Sequence, residues 1–107
     1  MDMEKEELLH RLEKHHTGYR NAVSSRYLET VFQVRGALIR KTINELRCAG
    51  HPICSGEEGY YYAANSMELT ATIRQLSSRI TKIAGAKNGL VRAAEQYSDS
   101  GQLSLPL

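Results

Sequence analysis

The chain has 107 residues, of which 14 are Lys or Arg and 12 are Asp or Glu, so its formal net charge at pH 7 is +2. An apolar fraction of 41% and a charged fraction of 24% are typical of soluble globular proteins and exclude a wholly disordered or fibrous chain. No apolar run approaches the roughly 20 residues that span a bilayer, and the N-terminus is acidic rather than signal-like. We therefore expect a cytoplasmic protein with no membrane partner and with reduced cysteines.

Charge is segregated along the chain. Residues 1–19 carry a net charge of −2, residues 20–56 +4, residues 57–68 −3, residues 69–94 +5 and residues 95–107 −2. Basic blocks of this kind are typical of proteins that bind a polyanion, although a solvated helix face produces the same sums. Nucleic acid is therefore one expected partner.

The first half of the chain predicts three short helices. Leu8, Leu9 and Leu12 lie on one side of a helix from about residue 4 to 14. Ser24 is a candidate N-cap for a second helix over residues 25–32. After a tight connection at residues 34–36, a third helix has Ile39, Ile43 and Leu46 on one face and ends at Gly50.

A hairpin and a long helical segment follow. Residues 51–55 and 60–63 form the arms of the predicted hairpin, and its turn carries Glu57 and Glu58. From residue 66 to 97 we expect one long helix or a helical pair, with Ser66 as the cap. Apolar residues recur there at alternating spacings of four and three, interrupted only by Lys87, a pattern that we call the heptad stripe: Leu69, Ile73, Leu76, Ile80, Ile83, Leu90 and Ala94.

The heptad stripe has two interpretations. It is the side of a helix that packs on the preceding domain, or it is a seam through which two copies form a homodimer. A stretch of this length exceeds what so small a core buries, which favours the homodimer. Residues 98–101 then have no periodicity and predict a flexible tail, residues 98–107.

The order helix, helix, tight turn, helix, hairpin resembles a winged helix-turn-helix domain, most closely the DNA-binding domain of the biotin-operon-repressor type. The resemblance rests on residues 23–63, including Leu28, Val34, the segment from Ile39 to Arg47, and Gly50. It implies a mainly α fold with a β-hairpin wing over residues 1–65, followed by the long helix of residues 66–97. It also implies DNA as a partner.

Candidate DNA contacts follow from the exposed side of the third helix. Arginine and lysine pair with guanine acceptors in the major groove, asparagine pairs with adenine, and other basic groups contact phosphate. The predicted contacts are Arg26, Arg35, Arg40, Lys41, Asn44 and Arg47. The acidic hairpin turn argues against a wing that grips phosphate, and a winged helix used only for protein contacts is an alternative.

The last six residues resemble the short motif by which bacterial polymerases and repair proteins bind the replication sliding clamp, the beta subunit of DNA polymerase III. The resemblance implies Gln102 as a polar anchor, Leu105 and Leu107 as apolar anchors, and Pro106 as the residue that keeps the peptide extended. A short segment with alternating apolar residues on a polar linker also suits docking in a groove. The predicted clamp-binding residues are Gln102, Leu103, Ser104, Leu105, Pro106 and Leu107.

These features together predict a small DNA-binding accessory protein that docks on the clamp and acts in DNA replication, plausibly of phage or prophage origin. The alternatives are a dimeric winged-helix transcriptional regulator that binds an operator, and a protein adaptor without DNA contact. No nucleophile motif, phosphate-binding glycine loop or four-ligand metal pattern is present in the sequence, so we expect no enzyme, no cofactor and no metal.

Overall fold

The computed structural model describes residues 3–97. Four α-helices are present in this part of the chain, α1 (Lys5–His15), α2 (Ser25–Phe32), α3 (Gly36–Cys48) and α4 (Ser66–Glu95), with a short 3₁₀ turn at Tyr19–Asn21. Strands β1 (Ile53–Gly56) and β2 (Gly59–Tyr62) form one antiparallel hairpin. The predicted fold class, mainly helical with a small hairpin and a long C-terminal helix, is confirmed. The sequence left open whether the last segment is one helix or two, because it contains two glycines. The structure has a single helix there.

The core lies in the first compact unit, which ends at Ile73. Each of the first three helices buries the face that its apolar spacing predicts, and β1 adds one side chain. Partly buried neighbours, including Phe32 and Val34, pack around this core. The buried residues are Leu8, Leu12, Val23, Leu28, Ile39, Ile43, Leu46 and Ile53.

The helix caps agree with the sequence at one place and differ at another. Ser24 caps α2 as predicted, because its Oγ accepts the Tyr27 N–H at 3.0 Å. The prediction that Ser66 caps α4 is wrong. Asn65 Oδ1 accepts the Glu68 N–H at 3.0 Å, and Ser66 is the first residue of the helix. An Asn at the residue before a helix is as good a cap as Ser, so the sequence pattern alone did not distinguish them.

The hairpin is held on both faces. Ile53 pairs with Tyr62, and Tyr60 exchanges two backbone hydrogen bonds with Val23, at 2.9 and 2.8 Å. Tyr60 and Tyr62 pack against the core as their alternation predicts. Tyr61, on the opposite face, is also buried, and its hydroxyl is hydrogen-bonded to Thr72 of α4.

The first compact unit extends past residue 65, where the sequence pattern places the domain boundary. The first turns of α4 belong to it: the Glu68 carboxylate accepts the backbone N–H groups of Ala64 at 2.8 Å and Tyr19 at 3.0 Å. Thr72 Oγ1 accepts the Ser55 N–H at 3.3 Å and is itself buried. These contacts make the start of α4 part of the hairpin's support.

The rest of α4 forms the described part of the second unit, which begins at Arg74. Its larger apolar side chains are open to solvent in the single chain: Ile80 and Ile83 are each 67% exposed and Leu90 is 72% exposed. None of the helices within residues 3–97 is long and apolar enough to cross a membrane.

Candidate nucleic-acid interface

Helix α3 separates its apolar and polar side chains onto two faces. Ile39 and Ile43 are at most 2% exposed and are anchored in the core. Arg40, Lys41 and Asn44 are exposed. Because residues 40 and 44 are one turn apart and residue 41 is their neighbour, the structure brings these three predicted contacts together on one side of the helix.

The connection between α2 and α3 presents the other predicted cations. Gln33 adopts the left-handed conformation, with φ 55°, and the Val34 N–H returns to the Glu29 carbonyl at 3.1 Å. This turn places Arg35 directly before α3, in extended backbone and exposed. Arg26 is exposed near the start of α2. Both are therefore accessible, on the helix pair that the sequence predicts.

Arg40 has a neighbouring carboxylate, that of Glu29, which the sequence did not indicate. A methyl group built on Gly36 would lie 3.0 Å from Glu29 Oε2 and 3.3 Å from Arg40 Nη1, so both side chains reach the same glycine. Ser25 Oγ also donates to Glu29 Oε2 at 3.3 Å, which holds the carboxylate there. The Glu29 carboxylate therefore lies near the Arg40 guanidinium without forming an ion pair with it, and its negative charge weakens the attraction of Arg40 for a phosphate. The signal in the sequence is only that Glu29 lies one turn after Ser25.

Arg47 is turned toward the hairpin. Its Nε donates to the Ile53 carbonyl at 2.8 Å and its Nη2 donates to Ser55 Oγ at 3.1 Å, and both contacts are partly buried. The structure therefore gives Arg47 a role in joining α3 to β1, and it stands apart from the exposed group at residues 40, 41 and 44.

The hairpin tip is acidic and exposed. Glu57 and Glu58 form the turn between the strands. They border a groove of about 310 Å³ whose other walls are Tyr19, Ala22, Gly56 and Tyr61. Two carboxylates at this end repel a phosphate backbone, in agreement with the expectation from the sequence.

A second cationic patch lies on α1. None of the site residues predicted from the sequence lies on this helix. Its side chains and Phe32 border a cavity of about 310 Å³. One of them, Arg11, also lies over the Tyr27 ring with its Cζ 5.9 Å from the ring centroid. The residues that line the cavity lie on one face of α1, because they recur about one helical turn apart in the sequence. They are Glu7, His10, Arg11, Lys14 and His15.

Cysteine chemistry is confined to two free thiols, Cys48, which is exposed, and Cys54, which is buried. Burial raises the pKa of the Cys54 thiol, and it likewise raises the pKa of the Tyr61 hydroxyl; hydrogen bonds from Thr72 oppose the increase in both. Within residues 3–97, no group of three or more His, Cys, Asp or Glu side chains is placed to hold a metal ion.

The predicted clamp-binding residues, 102–107, lie outside the described part of the chain, so that prediction stays a prediction. No known protein family, curated protein or solved structure matches this sequence.

Proposed function

We propose that this protein is a small DNA-binding accessory factor that docks on the bacterial replication sliding clamp through residues 102–107. In this proposal the first compact unit is a winged helix-turn-helix domain, with α2 and α3 as its helix pair and the β1–β2 hairpin as its wing. The observation that supports DNA binding most directly is the exposed group Arg40, Lys41 and Asn44 on a helix whose opposite face is anchored in the core.

At DNA, α3 enters the major groove. Arg40 and Lys41 donate to guanine N7 and O6, and the Asn44 amide makes the two hydrogen bonds that identify adenine. Arg26 and Arg35 contact phosphates and orient the helix. Arg47 holds the hairpin against α3, and the acidic hairpin tip stays away from the backbone.

The tail supplies a second attachment. Residues 102–107 follow a short polar linker and resemble clamp-binding peptides, for which a single copy binds with a dissociation constant in roughly the micromolar range. A protein held by DNA and clamp at once gains from the high effective concentration of the second site. The tail then recruits the protein to replicating DNA, or it competes there with polymerases for the clamp groove.

The DNA part is tested by fluorescence anisotropy on a mixed-sequence duplex at several salt concentrations. The Arg40→Ala/Lys41→Ala double variant is compared with Lys5→Ala/Lys14→Ala, which removes the same charge from α1. If Arg40 and Lys41 contact bases in the major groove, affinity falls at least tenfold in the first variant at every salt concentration and is little changed in the second. Equal affinities in both variants contradict a DNA-binding α3.

The clamp part is tested by calorimetric titration of a bacterial sliding clamp with the full chain, with a chain ending at Gly101, and with Gln102→Ala/Leu105→Ala. The matched control is Ser104→Ala, which keeps the proposed anchors. We expect heat of binding for the full chain and the control alone. Binding by the shortened chain, or by none of the four proteins, rejects clamp docking and leaves DNA binding to be judged separately.

A second candidate function is a dimeric transcriptional regulator that binds a palindromic operator. The observation that favours it is the exposed part of the heptad stripe on α4. Under this alternative, the genomic DNA fragments that the protein binds share one inverted-repeat sequence. The fragments bound by a replication factor share no common sequence.

A further inference from the structure

The exposed face of α4 has the composition of a two-stranded coiled coil. Counting heptads from Ile73, positions a hold Ile73, Ile80 and Lys87, and positions d hold Leu76, Ile83 and Leu90. Leucine occupies two of the three d positions and β-branched residues occupy two of the three a positions, a composition that favours two parallel strands, and a single lysine at a selects register and discourages larger assemblies. The heptad assignment rests on the sequence of α4 alone and does not depend on the proposed DNA or clamp function.

The structure leaves this seam exposed in the single chain except at Leu76, which is half-buried. Ile73 is 54% exposed, Ile80 and Ile83 are each 67% exposed, and Leu90 is 72% exposed. Most of the stability of a helix in a protein comes from packing of its apolar face, and α4 also contains Gly85 and Gly89, which weaken a helix. A packed partner for the seam therefore explains why the helix continues to Glu95.

The charges show which partner fits. Basic side chains lie off the seam except for Lys87, and no acid lies between Glu68 and Glu95. In a coiled coil, positions e and g normally select a charged partner. In α4 these positions are small or uncharged except for Arg79, and the uncharged ones are Ser77, Ala84, Ala86, Val91 and Ala93. The positions that flank the seam therefore carry little charge to oppose a second copy, and the a and d residues other than Lys87 are apolar side chains that can pack on their own copies.

We propose that α4 binds a second copy of this chain as a parallel, in-register coiled coil from about residue 73 to residue 90, with Lys87 facing Lys87 of the partner subunit. In this arrangement the two copies of Ile73 lie at one end of the coil and the two copies of Leu90 lie at the other end. Because both helices are basic, salt screens their repulsion and strengthens the dimer, whereas it weakens DNA binding.

Strand direction is tested by disulfide trapping in the full chain carrying Cys48→Ser, which removes the exposed native thiol. Positions 73 and 90 are about 26 Å apart along a helix, so a cysteine at either one meets its own copy only in a parallel, in-register pair. We expect Ile73→Cys and Leu90→Cys each to form a covalent dimer on mild oxidation. An antiparallel pair gives a crosslink only when the two variants are mixed, and that result overturns the proposal.

Dimerisation itself is measured by sedimentation equilibrium at two salt concentrations. Ile80→Glu/Ile83→Glu is expected to raise the dissociation constant at least a hundredfold. The matched control Ser78→Glu/Asn88→Glu adds the same charge off the seam and is expected to dimerise as the parent does. A monomeric parent at high micromolar concentration, a tetramer, or a dimer that weakens as salt rises contradicts the proposal, and none of these outcomes bears on whether α3 binds DNA.

Discussion

Gly59 at the start of β2 lies so close to Val23 that a methyl group built on the glycine would overlap the Val23 carbonyl carbon and oxygen. The same stretch carries the two backbone hydrogen bonds between Val23 and Tyr60, so neither chain segment can move away without losing them. Gly59 also has φ 125°, a conformation that side chains rarely adopt. The glycine is what allows the hairpin to close on the segment that leads into α2.

We therefore predict that Gly59→Ala lowers the free energy of unfolding by about 3 kcal/mol or more, from backbone strain plus the overlap. Gly50→Ala is the matched control: its φ is 97°, but nothing lies within 4 Å of the added methyl group. It should cost about 1 kcal/mol, the strain alone. Urea unfolding followed by circular dichroism measures both, and equal losses contradict the close contact.

The start of α4 offers a second prediction. Glu68 accepts two backbone N–H groups, from Ala64 and Tyr19, and its own N–H is capped by Asn65. Glu68→Ala removes both acceptors and is expected to cost about 2 kcal/mol, and Asn65→Ala about 1 kcal/mol. Ser66→Ala should change the free energy of unfolding by less than about 0.5 kcal/mol. Were Ser66 the cap, the order of the last two variants would reverse.

Stability should fall steeply in alkaline solution. Burial raises the pKa of Cys54 above its ordinary value of 9.0, with Thr72 partly opposing the shift, so the folded chain keeps the thiol proton where the unfolded chain loses it. Above about pH 9 the unfolded state binds fewer protons, and the stability present below that pH is lost as pH rises toward the folded pKa. Each such proton contributes a loss of about 1.4 kcal/mol per pH unit.

The variant Cys54→Ala tests this assignment. Its free energy of unfolding is expected to decline less between pH 9 and pH 10.5 than that of the parent, although it starts lower at pH 7 because a buried side chain is truncated. Burial also raises the pKa of Tyr61, with the neighbouring Cys54 as the next largest cause, so in this variant Tyr61 keeps only part of its own contribution to the decline. Cys48→Ala removes the exposed thiol and should follow the parent. Parallel curves for all three proteins would show that the buried thiol does not contribute.

The carboxylate beside Arg40 leads to a prediction about affinity. Glu29→Gln keeps the shape of the side chain and removes the negative charge near the Arg40 guanidinium. If the proposed interface is right, duplex binding at low salt tightens about threefold, which is the scale of one partly exposed charge close to the interface. Glu13→Gln, an exposed acid on α1, serves as the control. Weaker binding, or an equal gain in both variants, would falsify the placement of Arg40 in the interface.

Local spacing in the sequence determined much of this protein. The buried faces of the first three helices, the Ser24 cap and the inward orientation of Tyr60 and Tyr62 follow from periodicities of 3.6 and 2 and from capping chemistry, all of which act over a few residues. Exposure of Arg40, Lys41 and Asn44 follows in the same way, because burying one side of α3 leaves the other in water.

Contacts between distant segments decided the rest. The hydrogen bond between Tyr61 and Thr72 joins side chains of two different elements, and the hydrogen bond from Arg47 to the Ile53 carbonyl depends on where β1 passes α3. The carboxylate beside Arg40 likewise arises only when α2 packs on α3 across Gly36. Such pairings are set by the geometry of packed elements, since a side chain's neighbours across the fold leave no periodic trace in its own segment.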